Sequence, residues 1–306
     1  MCAAITSTVL ARRTDDSLSL QQRAIGAYLG LAVGDALGAT VEFMAPSEIE
    51  AVHRVHRDIR GGGWLRLRPG QVTDDTMMSL YLGRAILAVG HVNAHSAAQA
   101  FDEWMRSKPV DIGNTVRRGI VHFRRTGVPE APLSEHAAGN GACMRCLPVA
   151  LMTFNRRGGY VEANRAQAHV THNNALSDRA TECVIEIIHG ALLGQRLQQL
   201  FDGPIAQLVN TYPQFQFAKG RCENPTGYIV DTLRAVFQAL RARDSFEAAM
   251  IDVVNRGGDA DTTGAIFGMI GGAYYGQQAI PRRWLNTLDD AVRAECESQA
   301  RALIGA

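Results

Sequence analysis

Strand signals are almost absent from this sequence; helical spacing recurs nearly everywhere instead. An excess of charge of one sign is lacking too. The 31 basic and 30 acidic residues leave a net charge of +1, which argues against a nucleic-acid backbone or an anionic membrane held by the bulk field. Any anion must then be recognised at a local site. There is no long hydrophobic run: Ile25 to Val41 is interrupted by Asp35 and falls short of the ~20 residues a bilayer needs. It reads as a buried helix, not as part of an integral membrane protein. No Pro/Ser-rich linker or low-complexity tract divides the chain. No signal peptide stands out, because Met1 to Leu10 lacks a leading positive charge and Arg12, Arg13, Asp15 and Asp16 follow at once. Cysteine is sparse. Of the six, only Cys143 and Cys146 sit at C-x-x-C spacing, with no second pair to complete a zinc site. Scattered free thiols suit a reducing, cytoplasmic setting.

What is present is a succession of amphipathic or apolar helices. Ile25, Leu29, Ala32, Val33 and Ala36 mark the first, Met77 to Leu87 the second, and Phe101, Trp104 and Met105 a third. Val116, Ile120, Val121 and Phe123 mark another, and Ser177 reads as the cap of a helix carrying Val184, Ile187 and Ile188. Later helices are expected over Thr226 to Arg241, Ser245 to Asn255, Thr262 to Tyr275 and Asp289 to Leu303. The expectation is a flexible tail over residues 1–20, then one compact all-α domain over 21–306.

Glycine recurs every fourth residue in two places, at Gly26, Gly30, Gly34 and Gly38 and again at Gly264, Gly268, Gly272 and Gly276. Each costs ~1 kcal/mol against alanine inside a helix, so a stripe of four needs a reason. Positions four apart share a helix face. The stripes therefore predict unusually close approach of two helices, or of backbone to a ligand.

Two oxygen-rich segments fall at predicted helix starts: Gln71-Val72-Thr73-Asp74-Asp75-Thr76 and Gly257-Gly258-Asp259-Ala260-Asp261-Thr262-Thr263. Capping of the free amides explains one such side chain, not a contiguous set. Two starts with two aspartates each fit hard cations such as Mg²⁺ or Mn²⁺, since four carboxylates brought together repel unless metal compensates them. Glu42 follows the first helix. Asp111 stands in a Pro/Gly turn before a helix, as a cap or as a functional carboxylate. Gly139-Asn140-Gly141 is a flexible turn suited to cradling phosphate through its amides. His172, in Thr171-His172-Asn173-Asn174, is open to a packing or a catalytic reading.

Taken in order, Gly34-Asp35-Ala36-Leu37-Gly38, Thr73 to Thr76, Gly139 to Gly141, Met144-Arg145, Thr171 to Asn173 and Gly257 to Thr263 resemble the ADP-ribosylglycohydrolase family over about Arg23 to Leu303. Ala39 to Phe43, Gly61 to Leu65, Pro109 to Asp111 and Tyr228 to Thr232 are similar to the branch that acts on the nitrogenase iron protein. The resemblance implies an all-α fold with a binuclear Mn²⁺ or Mg²⁺ centre. It also implies removal of ADP-ribose from an arginine of that target protein, which regulates nitrogen fixation. Thr73, Asp74, Asp75, Asp259, Asp261 and Thr262 would be metal ligands. Glu42 and Asp111 would lie at the scissile bond with His172 close by, and Asn114, Gly139, Asn140, Gly141 and Tyr228 would contact ADP-ribose. A PII signalling protein and an ammonium channel would be partners in reversible membrane association. The sequence departs from the family in having Met77 where relatives often carry Glu, and Asn174-Ala175 for the commoner His-Pro. Rival readings are hydrolysis of another ADP-ribosyl linkage or of a small molecule, and a non-enzymatic ADP-ribose-binding relative.

Overall fold

The computed structural model describes residues 18–155 and 159–305. Among them no strand forms; two isolated bridges, Gly62 to Leu67 and Gly139 to Tyr228, are the extended pairings present. The principal helices are α1 (Leu20–Gly38), α2 (Asp74–Val89), α3 (Ala94–Arg106), α4 (Asn114–Thr126), α5 (Leu147–Thr153), α6 (Ala175–Leu192), α7 (Ile229–Ala242), α8 (Phe246–Val254), α9 (Ala260–Tyr275) and α10 (Asp290–Gly305). None of the described helices is long and apolar enough to cross a membrane.

Of the tail expected over residues 1–20, residues 1–17 lie outside the described residues. Leu18 is buried, and Ser19 caps α1 in a reciprocal box with Gln22 that satisfies two free amides.

Helix α1 is the centre of the molecule. From Arg23 to Gly38 every residue is buried, as expected of a helix without a polar face. Helices α9 and α10 pack on it, and α6, α7 and α8 pack on α9. The two glycine stripes are the seam between α1 and α9. They run antiparallel, so Gly26 meets Gly272, Gly30 meets Gly268 and Gly34 meets Gly264; Gly38 lies against Ala260 and Gly276 against Leu18. A methyl placed on Gly264 would sit 2.6 Å from the carbonyl oxygen of Gly34. Backbone therefore touches backbone, a closer approach than the ~8–10 Å between axes that side chains normally impose. The seam joins the helix carrying Asp35 to the helix launched at Asp259.

The helices fall close to their expected positions, with one cap reassigned. Helix α6 begins at Ala175, and Asn174 Oδ1 accepts from the amides of Leu176 and Ser177. Ser177 lies inside the first turn and donates through Oγ to the carbonyl of Gly139 at 3.1 Å. Asn174 outcompetes Ser177 because its Nδ2 also donates to Ser134 O at 2.9 Å, joining cap and neighbouring loop. Cys143 and Cys146 are free and fully buried, as are Cys183 and Cys296, consistent with packing roles.

Candidate metal centre and cleft

Helix α2 starts under an unusual cap. Thr73 occupies the cap position but makes no capping bond with its own side chain. Instead Asp35, fully buried in α1, accepts from the Thr73 amide at 2.9 Å, the Thr76 amide at 3.0 Å and the Thr76 hydroxyl at 2.6 Å. A carboxylate from another helix thus does the work that the sequence assigned to Thr73, Asp74 or Asp75. At helix α9, Asp259 stands at the cap position and makes no capping bond, while Asp261 Oδ1 accepts from the first-turn amide of Thr262 at 2.8 Å. Asp111 does not cap α4 either; Gly113 stands there, and Asp111 Oδ1 accepts only from the adjacent Ile112 amide among the described residues. Helix capping therefore does not account for Asp74, Asp75, Asp111 or Asp259.

They converge. Glu42, Asp259 and Asp261 bring one oxygen each within 4.8 Å of one another. Glu42 is held there because the Phe43 amide donates to Gly258 O at 2.7 Å and the Gly258 amide donates back to Met44 O at 3.0 Å. Gly257 and Gly258 take φ of +70° and +64° to make this clasp. The indole of Trp64 donates to Glu42 Oε2 at 2.6 Å. Asn140 Nδ2 donates to Asp259 Oδ2 at 2.6 Å and to Thr232 Oγ1 at 3.0 Å.

Glu42, Asp74, Asp111, Asn114, Gly139, Asn140, Gly141, His172, Asp259, Asp261 and Thr262 line one cleft of about 270 Å³. Thr73 and Asp75 lie behind this lining. Tyr228 stands outside it, 41% exposed, with its backbone bridged to Gly139. The Asn140 amide, one donor of the expected phosphate cradle, is committed to Gly227 O at 3.0 Å.

The electrostatics are those of a site short of positive charge. Burial, followed by the charges of Asp111, Asp35 and Glu42, pushes Asp74 well above the usual carboxylate range. Burial pushes Asp75 up likewise, with Asp35 and Asp74 adding to it, and Asp261 up with Glu42 and Asp75 adding. Asp35 is raised to about 6, first by burial, and Glu42 to about 7, by burial and then by Asp259 and Asp111. Thr73 Oγ1 lies 2.9 Å from Asp35 Oδ1 and 3.2 Å from Asp75 Oδ2, yet one hydroxyl proton serves one of them. Asp75 Oδ1 is buried with no hydrogen-bond partner among the described residues. Such an orphaned oxygen in an all-oxygen donor set fits a hard divalent cation.

His172 is buried and pushed down to about 3, by burial and then by the charges of Arg145 and Arg118. The buried Arg145 donates to Thr171 Oγ1 at 2.8 Å, and that hydroxyl lies 2.7 Å from His172 Nδ1. Arginine has no acceptor to offer, so the Thr171 proton turns to Nδ1 and the His172 proton resides on Nε2, beside the 139–141 turn. The ring is a neutral donor. Asp35, Trp64 and Arg145 were not among the expected site residues; a buried Asp inside an apolar helix was the signal available for the first.

In the cation-free protein, carboxyls whose folded pKa exceeds the unfolded value stabilise the fold at low pH and lose that contribution as pH rises through the folded pKa. His56 and His172, pushed down to about 4 and about 3, oppose this trend only below about pH 6.5. We therefore expect the melting temperature in chelator to fall between about pH 6.5 and about pH 8.5, and Mn²⁺ to restore more at the higher pH. Thermal denaturation at both values checks this; a rise in chelator would contradict it.

An all-α fold whose paired acidic helix starts face one cleft is that of the ADP-ribosylglycohydrolases: the model of that family matches residues 16–306, and the chain belongs to it. It is 46% identical to the ADP-ribosyl-(dinitrogen reductase) glycohydrolase of Rhodospirillum rubrum, over 94% of this chain and 97% of the relative. It is 31% identical to ADP-ribosylarginine hydrolase Tri1 of Pseudomonas putida (strain GB-1), over 86% of this chain and 73% of that one. Among solved structures, an ADP-ribosylglycohydrolase-related protein complex superposes with a TM-score of 0.80 at 36% identity, covering 94% of this chain and 98% of that chain.

Proposed function

We propose that this chain hydrolyses the bond between ADP-ribose and an arginine side chain of a protein, with the nitrogenase iron protein as target. The observation that carries the reading is that Asp74, Asp259 and Asp261, from the two acidic helix starts, line one cleft with Glu42 and Asp111, while Asp35 caps the first of those starts. Thr73, Asp74, Asp75, Asp259, Asp261 and Thr262 are the residues that would hold two divalent cations, Mn²⁺ or Mg²⁺. Such cations would supply positive charge and Lewis acidity in the cleft. The substrate's guanidinium is a cation, and the carboxyl groups of Glu42 and Asp111, which line the cleft, attract it there. As the bond to the anomeric carbon lengthens, the ribose becomes oxocarbenium-like and Asp111 stabilises that charge; a water replaces the departing guanidine at that carbon and gives its proton to Asp111 as base, and the guanidine ends protonated as the free arginine side chain. Glu42, raised to about 7, is placed to hold or release a proton, and Trp64 fixes its orientation. His172, neutral, donates through Nε2. Asn114, the Gly139, Asn140 and Gly141 turn, and Tyr228 at the rim receive ADP-ribose. The sequence resemblance also supports regulation through a PII protein and an ammonium channel.

The test uses arginine-ADP-ribosylated dinitrogenase reductase: mass spectrometry should show the modified arginine returned to its unmodified mass, and persistence of the modification would remove the reading. Asp111→Ala should retain Mn²⁺ and ADP-ribose affinity while kcat falls about 10²–10³-fold, because its contribution belongs to the transition state. A near-normal kcat would reduce Asp111 to a turn residue.

A further inference from the structure

Helix α4 begins at the cleft, where Asn114, Thr115 and Val116 contribute to its lining, and carries a run of cations away from it. Arg117, Arg118, His122 and Arg125 line a shallow depression of about 440 Å³ together with Val121 and Thr126. Arg118, His122 and Arg125 are spaced i, i+4, i+7 and share a face. Arg117, Arg118 and Arg125 are exposed, and among the described residues none of the three is in an ion pair; the one side-chain bond is from Arg118 Nη2 to Thr115 Oγ1 at 3.2 Å.

Two comparisons within the molecule bear on this face. Several arginines elsewhere are paired, among them Arg84 with Glu295, Arg243 and Arg256 with Asp252, and Arg283 with Asp58 and Glu247. On α4 itself, Arg124 pairs with Asp102, on the side turned towards α3. Arg125 is favourably placed near the negative end of the helix dipole, but Arg117 and Arg118 lie near the positive end, which has no acidic residue in its first turn and disfavours cations. Neither helix stability nor internal pairing accounts for them. In a chain of net charge +1 they form a local positive strip leading out of the site.

We infer that the exposed cationic face of α4 docks an acidic surface of the ADP-ribosylated protein substrate, guiding the modified arginine into the cleft. This rests on the proposed hydrolysis of ADP-ribosyl-arginine. Complementary charge at the edge of an interface acts mainly through association rate and weakens with salt. A small substrate held by the cleft lining, which includes neither Arg117 nor Arg125, gains little from it.

The test compares kcat/KM for ADP-ribosylated dinitrogenase reductase and for free ADP-ribosyl-arginine, using wild type and Arg117→Glu/Arg125→Glu. Both positions are solvent-exposed, and circular dichroism checks the fold. The expected result is a fall of about tenfold for the protein substrate at low salt, with a flattened salt dependence, and a change within about twofold for the small one. The milder Arg117→Ala/Arg125→Ala should show a smaller loss of the same kind. Unchanged kcat/KM and salt dependence with the protein substrate would overturn the inference. Equal losses with both substrates would also overturn it, making the face an anion subsite of the cleft. Hydrolysis of neither substrate by wild type would instead remove the proposed activity itself.

Discussion

Asp261→Ala should reduce hydrolysis of ADP-ribosyl-arginine by at least about 10³-fold, while helical content stays that of the parent. The fold survives because the Asp261 carboxylate is in no ion pair among the described residues and its one hydrogen bond is local, to the first-turn Thr262 amide at 2.8 Å. The activity does not survive because Asp261 is one of three carboxylates whose oxygens converge within 4.8 Å. Mn²⁺ affinity by calorimetry should fall at least about 100-fold, beyond the loss typical of an outer-shell partner. A second consequence separates a ligand from a structural residue. Burial and the neighbouring charges of Glu42, Asp75 and Asp259 all oppose ionisation of Asp261, so the cation-free variant should melt at a higher temperature than cation-free wild type. A variant that binds Mn²⁺ normally, or melts lower in chelator, would contradict the assignment.

The second large effect concerns the seam between α1 and α9. Gly30→Ala should destabilise the protein by at least ~1–3 kcal/mol, the usual penalty of overpacking, although alanine favours an isolated helix by ~1 kcal/mol over glycine. The sign is decided by geometry: a methyl on Gly30 points into the carbonyl of Gly268, which is backbone and has no rotamer by which to move aside. The two helices would have to separate. Because α1 brings Asp35 under the first turn of α2 and α9 begins at Asp259, separation would also loosen the acidic cluster, so Mn²⁺ affinity should fall together with stability. Urea denaturation and calorimetry on the one variant measure both, and unchanged stability would mean that the helices do not touch along this stripe in solution.

The stripes show what a sequence can carry. A period of four glycines is a statement about one helix face, and two such stripes suffice to predict a close pair. Their register was not legible: Gly34 meets Gly264 rather than Gly268 or Gly272, because direction and offset of packing are set by the whole core. The acidic motifs were legible for a similar reason, as contiguous oxygen donors exceed what capping needs. The groups that free and orient them were not. Asp35 reaches Thr73 and Thr76 from another helix, Trp64 reaches Glu42 across 22 positions, and Asn140 reaches Asp259 across 119. Local patterns encode local chemistry; partners brought together by tertiary structure leave no spacing to read. The cap of α6 was misassigned on the same ground, since Asn174 and Ser177 are both good caps and the loop at Ser134 decided between them.

The central claim is that the carboxylates of the two helix starts act through divalent cations to release ADP-ribose from arginine. Its most direct test is chromatographic detection of ADP-ribose from ADP-ribosyl-arginine by chelator-stripped protein, before and after adding Mn²⁺. The account predicts no release from the stripped protein and release restored by Mn²⁺. Release at an equal rate without the cation, or none with it, would contradict it.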